Sequence, residues 1–214
     1  AACIALLDDS DLSDEAFYAM IPGPDFPGGG QIISSAQEIQ TIYKQGRGSI
    51  KVRARWEIEE LARGQWQLVV KELPPGASPQ KILEEIEEKT NPRIRAGRKV
   101  LTADQQQTSA WLIGLLDAVR DESVKDDPIR LVFEPKSSRI DRDEFINTLL
   151  AQTSMEGNSS INLVSIGIDG RPGQRTLRQM LEQWLVFRAD TVRKRTQYRL
   201  DKVTDRIHIL EGRM

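Results

Sequence analysis

The chain has 214 residues, enough for one large domain or two small ones, and its 39% hydrophobic content suffices for a real core. One cysteine, Cys3, excludes an intrachain disulfide, and with a single histidine no Cys/His zinc set can form, so a reducing, cytoplasmic setting is expected. The formal charge of −2 hides an asymmetry: residues 1–46 carry seven acids against Lys44 alone, while residues 171–214 carry eleven bases against five acids. An acidic head and a basic tail point to an anionic partner near the tail.

In chain order, Ile4, Leu6 and Leu7 read as the end of a first helix, and Ser13 caps a short second one reaching Phe17 and Met20. The opening lacks a cap and the chain stops inside a basic helical pattern, so a piece of a longer polypeptide is expected. Ile21 to Gly30 holds Pro22, Pro24, Pro27 and three consecutive glycines, a rigid turn that neither helix nor central strand tolerates. No Lys-Ser/Thr follows those glycines, which argues against a nucleotide loop. A short strand over Gln31 to Ser34 precedes a helix from Ser35, with Ile39, Ile42 and Tyr43 on one face and Gly46 at its end.

From Gly46 to Ile58 the residues alternate strictly, and a single strand is expected. Ile50, Val52, Ala54, Trp56 and Ile58 face one side, and Lys51, Arg53 and Arg55 the other. Three like charges in a row need an anion over them or carboxylates beside them. A phosphate backbone is the sharper alternative and a solvated face with acidic neighbours the plainer one. Inward packing of the three, or a carboxylate tying up each, would defeat the first. The strand turns near Leu61 to Gly64 and returns as Trp66 to Leu73, a hairpin stopped by Pro74-Pro75-Gly76.

Ser78 and Pro79 open a helix with Ile82, Leu83 and Ile86 on its apolar side; its acids fan around the axis and do not converge on a metal. Asn91 to Gln107 reads as a polar, basic surface insertion (Arg93, Arg95, Arg98, Lys99), which either touches DNA or is simply solvated. Thr102 or Thr108 then leads into a helix carrying Trp111, Leu112, Leu115, Leu116 and Val119. A strand from Ile129 to Glu134, a helix capped by Asp141 or Asp143, and a last strand from Ile161 to Ile168 follow. Thr176 to Glu211 reads as one helix of roughly 50 Å, with Leu177, Leu181, Trp184, Leu185, Val192, Val203, Ile207 and Leu210 near one stripe. A helix that long suits a connector. His208 on it has no second ligand and is taken as structural, and the lack of an imidazole near any nucleophile argues against hydrolytic triads.

Several segments together resemble the middle of the A subunit of bacterial type IIA DNA topoisomerases, the topoisomerase IV and gyrase A family. They are Ile21 to Pro27, Tyr43 to Ser49, Arg120 to Ser123 and Arg206 to Gly212, matching in order and spacing. Arg130 to Lys136, Asp169 to Pro172 and Trp184 to Arg188 look closer to the topoisomerase IV branch. Gly28 departs from the usual Thr, and the stretch after Asn91 is longer than in short members.

The resemblance implies an α+β tower-like domain over residues 21–175, with antiparallel sheet and packed helices. Residues 1–20 would end a preceding helical region, and 176–214 would start a coiled coil. It further implies double-strand passage of DNA by the parent protein, driven by ATP with Mg²⁺ on a partner B subunit, in an assembly with a second A subunit on the bacterial nucleoid. The family's nucleophilic Tyr follows an Arg; none of Tyr18, Tyr43 or Tyr198 does, so no catalytic, cofactor or metal residue is assigned within the chain. Lys44, Arg47, Lys51, Arg53 and Arg55 are the expected duplex-DNA contacts. The alternatives are a gyrase A fragment, a structural module that braces subunits without touching DNA, and a small-molecule enzyme, which lacks any converging polar site.

Overall fold

The computed structural model describes residues 1–9, 11–92 and 101–213. Its elements run α1 (Ala2–Asp8), α2 (Asp14–Ala19), β1 (Gln31–Ile32), α3 (Ala36–Gln45), β2 (Arg47–Arg53), β3 (Arg55–Glu60) and β4 (Trp66–Glu72). They continue with α4 (Pro79–Thr90), α5 (Ala103–Leu115), β5 (Leu116–Asp121), β6 (Leu131–Pro135), α6 (Arg142–Gln152), β7 (Glu156–Asn162), β8 (Val164–Ile166), β9 (Pro172–Gln174) and α7 (Leu177–Glu211). Antiparallel strands, packed helices and a long final helix make this an α+β chain, as expected. It divides into two compact units: Ala1–Gly23, Ala36–Gly48 and Ser160–Met214 form the first, Pro24–Ser35 and Ser49–Ser159 the second.

The second unit is built on an antiparallel sheet in the order β3-β4-β6-β5. Its centre is apolar because β4 and β6 contribute Leu68, Val69, Val70, Leu131, Val132 and Phe133, all fully buried. Helices α4 and α6 supply most of the cover, with Leu115 from the end of α5. Ser78 Oγ accepts from Lys81 N and Asp141 Oδ1 from Glu144 N, so α4 and α6 start where the sequence places their caps. Ile82 and Ile86 of α4 and Phe145, Ile146, Leu149 and Leu150 of α6 complete the core. Trp66 meets Phe145 edge to face at 5.3 Å.

Four expectations change. The strand expected from Gly46 to Ile58 is two strands in two different sheets: β2 lies with β1 and β7, and β3 with β4. Ala54 is the break, since its N–H donates to Met155 O at 2.7 Å and the register shifts between Arg55 and Trp56. Leu116 and Val119 lie in β5, not in the preceding helix, because β5 forms a ladder with β6 that takes over the backbone bonds beyond Leu115. The polar stretch ends earlier than Gln107, as Thr102 and Gln105 form a capping box that starts α5 at Ala103. Arg93, Arg95, Arg98 and Lys99 lie outside the described residues. Finally, the strand expected over Ile161 to Ile168 is interrupted at Leu163, and β8 pairs with β9 across the Asp169-Gly170 turn.

In the first unit, α1 and α3 pack on α7. Ile39, Ile42 and Tyr43 of α3 are buried, the face the sequence shows. Gly46 ends α3 at φ +71°, where a Cβ would strike the Arg175 carbonyl, so only glycine fits that turn. The helix α7 has 35 residues and opens on a Thr176–Gln179 capping box. None of its residues is buried, and everything from Arg193 to Arg213 is exposed.

Candidate nucleic-acid interface

In the second unit the alternation holds across the Ala54 break. Ile50, Val52 and Ala54 are fully buried, while the side chains of Lys51, Arg53 and Arg55 are 53%, 32% and 61% exposed. The three point away from the core, but none is bare. Lys51 Nζ sits 2.8 Å from Glu156 Oε1, and Arg53 reaches Glu156 Oε2 through Nε and Nη2, each at 2.7 Å. Arg55 Nε lies 3.4 Å from Glu72 Oε2, which also accepts the Gly30 N–H at 2.7 Å. Lys51 first, with Arg53 beside it, holds the Glu156 carboxyl below the usual carboxylate range. The arrangement set out from sequence as counting against a phosphate rail, a carboxylate on each cation, is therefore present. Three cations meet two carboxylates, so the row keeps a surplus of one positive charge.

Lys44 and Arg47 belong to the first unit. Lys44 Nζ is 3.9 Å from Asp14 Oδ2 and 5.5 Å from the centre of the Tyr18 ring. Arg47 is exposed and, among the described residues, has no carboxylate within ion-pair distance. Beneath Lys44, Tyr18 stacks on Tyr43 with ring centres 6.2 Å apart. Burial pushes both phenols up, for Tyr18 with help from Asp14. Two buried phenols held protonated are poor nucleophiles. Arg178 locks this corner: it donates to Leu12 O at 2.6 Å, to Asp14 Oδ1 at 3.1 Å and to Glu182 Oε1 at 2.7 Å.

Sequence reasoning missed Glu156. It stands 103 residues from Arg53, and Met155-Glu156-Gly157 carries no motif that announces it. It also missed the charge network on β3, β4 and the residue before β6, where Arg130 grips both Glu59 oxygens at 2.8 and 2.9 Å and Gln67 donates to Glu59 at 2.7 Å. Arg130 and Gln67 bring the Glu59 carboxyl down to about 2.

A family profile for the A subunit of DNA gyrase and topoisomerase IV matches residues 1–214. The chain belongs to that family. It is 56% identical over 213 residues to the A subunit of DNA topoisomerase 4 from Neisseria gonorrhoeae, a match covering 100% of this chain and 28% of the relative. The corresponding protein of Escherichia coli K12 is 40% identical over 211 residues, 99% of this chain and 25% of the relative. That of Caulobacter vibrioides is 32% identical over 211 residues, with the same coverage. The chain thus spans about a quarter of the length of these topoisomerase subunits. Among the described residues, no helix is long and apolar enough to cross a membrane.

Proposed function

We propose that this chain is the DNA-supporting, non-catalytic part of the A polypeptide of a type IIA topoisomerase, of the topoisomerase IV kind, working in the bacterial cytoplasm on the nucleoid. The observation that carries the reading is the family match along the full 214 residues. The parent protein changes DNA topology by ATP-dependent double-strand passage; a B subunit handles ATP and Mg²⁺, while a second A subunit completes the assembly. Duplex DNA meets this part through Lys44, Arg47, Lys51, Arg53 and Arg55. The chain alone cleaves nothing, because the nucleophilic Tyr lies elsewhere in the parent: none of Tyr18, Tyr43 and Tyr198 follows an Arg.

Support for phosphates on the strand row comes from energetics. The Lys51 and Arg55 side chains are 53% and 61% exposed, so solvent screens their ion pairs and another anion can reach them. Bending 20 to 30 base pairs costs on the order of 1–6 kcal/mol, which outlying phosphate contacts must offset. A duplex therefore has both the means and the need to displace Glu156 and Glu72 from their partners. A second reading, that the row braces the fold without touching DNA, is favoured by the pairing of all three cations.

Charge reversal decides between them. Lys51→Glu, Arg53→Glu and Arg55→Glu together, in the complete A subunit with its B partner, should slow decatenation and weaken binding of a roughly 30-base-pair duplex. Unchanged duplex affinity would leave the bracing reading in place.

A further inference from the structure

We infer that Glu156 occupies, within the free protein, the place a DNA phosphate takes on Lys51 and Arg53, and so holds duplex affinity down until DNA displaces it. The inference rests on the DNA-supporting reading above and adds a residue to it that positions the two cations and competes for them.

The geometry carries it. Three donors converge on one carboxylate: Lys51 Nζ at 2.8 Å on one oxygen, and Arg53 Nε and Nη2, each at 2.7 Å, on the other. A guanidinium edge plus an ammonium is the donor set that suits a phosphate as well as a carboxylate. Glu156 opens β7 beside β2 and is itself only 17% exposed, while Lys51 is half exposed, so solvent and polyanion reach the site from the cation side. Arg53 does not depend on Glu156 alone. Its guanidinium also lies 5.9 Å from the centre of the Trp56 ring. The result is a preformed anion site with an internal occupant, reachable from the exposed Lys51 side.

The test uses the complete A subunit, paired with its B partner, and a roughly 30-base-pair duplex. Glu156→Gln keeps the size and one acceptor but removes the charge. It should tighten duplex binding about 3- to 10-fold at about 0.15 M salt and steepen the dependence of log K on log salt by about one, as one more phosphate is matched by an uncompensated cation. Glu156→Asp should stay near the parent value. In a Lys51→Met, Arg53→Met background, Glu156→Gln should lose most of its effect. Unchanged affinity, or weaker binding from a variant whose thermal midpoint is preserved, overturns the inference. If Glu156→Gln unfolds the protein, Glu156→Ser is measured in its place against the same two outcomes. The wider reading fails separately: it fails when reversing Lys51, Arg53 and Arg55 leaves duplex binding untouched, whatever Glu156 does.

Discussion

The strand segment from Arg47 to Glu60 and the helix α7 carry similar densities of positive charge but handle it in opposite ways. On the strand segment, Lys51, Arg53 and Arg55 stand on a fully buried backing and each meets a carboxylate. On α7, Arg188, Arg195, Arg199 and Arg206 are exposed and, among the described residues, have no ion-pair partner, while no residue of the helix is buried. Lys194 with Asp190 at 2.8 Å is the close pair of its outer part, formed within one helical turn. The difference teaches that charge on a packed sheet is positioned by distant chain and neutralised there, whereas charge on the exposed outer part of a helix is positioned by the helix alone. Density in the sequence does not distinguish the two.

The contrast breaks most visibly in stability. Phe133→Ala, in the fully buried centre of the sheet, should cost about 3–5 kcal/mol in urea unfolding, while Val203→Ala on α7 should cost under about 0.5 kcal/mol. Equal losses would mean that the outer part of α7, from Arg193 onward, is packed after all. A helix without a buried face relies on its ends, so Thr176→Ala, which removes the capping box, should cost about 1 kcal/mol and fray the first turn, visible as reduced helical circular dichroism.

Acid separates the regions next. The Glu59 carboxyl, gripped by Arg130 and Gln67, is held down at about 2 in the folded chain, whereas an unfolded Glu titrates near its ordinary value. Its depressed value means that the stabilisation is fully present above about pH 4.5 and is lost as pH falls toward 2. After allowance for solvent screening it amounts to about 1 kcal/mol. Glu59→Gln should flatten that part of the stability profile, and a profile identical to the parent's would show the network to be idle.

Much of the architecture was legible because its causes are local. Ser13 and Ser78 cap the helices they precede, the long helix begins at Thr176, Ile39, Ile42 and Tyr43 share the buried face of α3, and β3 returns through β4 at the Leu61 to Gly64 turn. What escaped was decided by remote chain. The helical periodicity through Leu115 continues to Leu116 and Val119, yet β6 claims them as a strand. Ala54 looks like one more small inward residue, and only the Met155 carbonyl makes it a break between sheets. For the candidate interface, alternation placed Lys51, Arg53 and Arg55 on the outward side but could not supply Glu156, the partner of Lys51 and Arg53 from the start of β7.

The salt dependence of duplex binding tests the central claim most directly. With Lys51, Arg53 and Arg55 all changed to Glu in the complete A subunit, the slope of log K against log salt should become shallower by about two to three, as about three phosphate contacts are lost. A slope equal to that of the parent protein would contradict the account and leave the row as an internal brace.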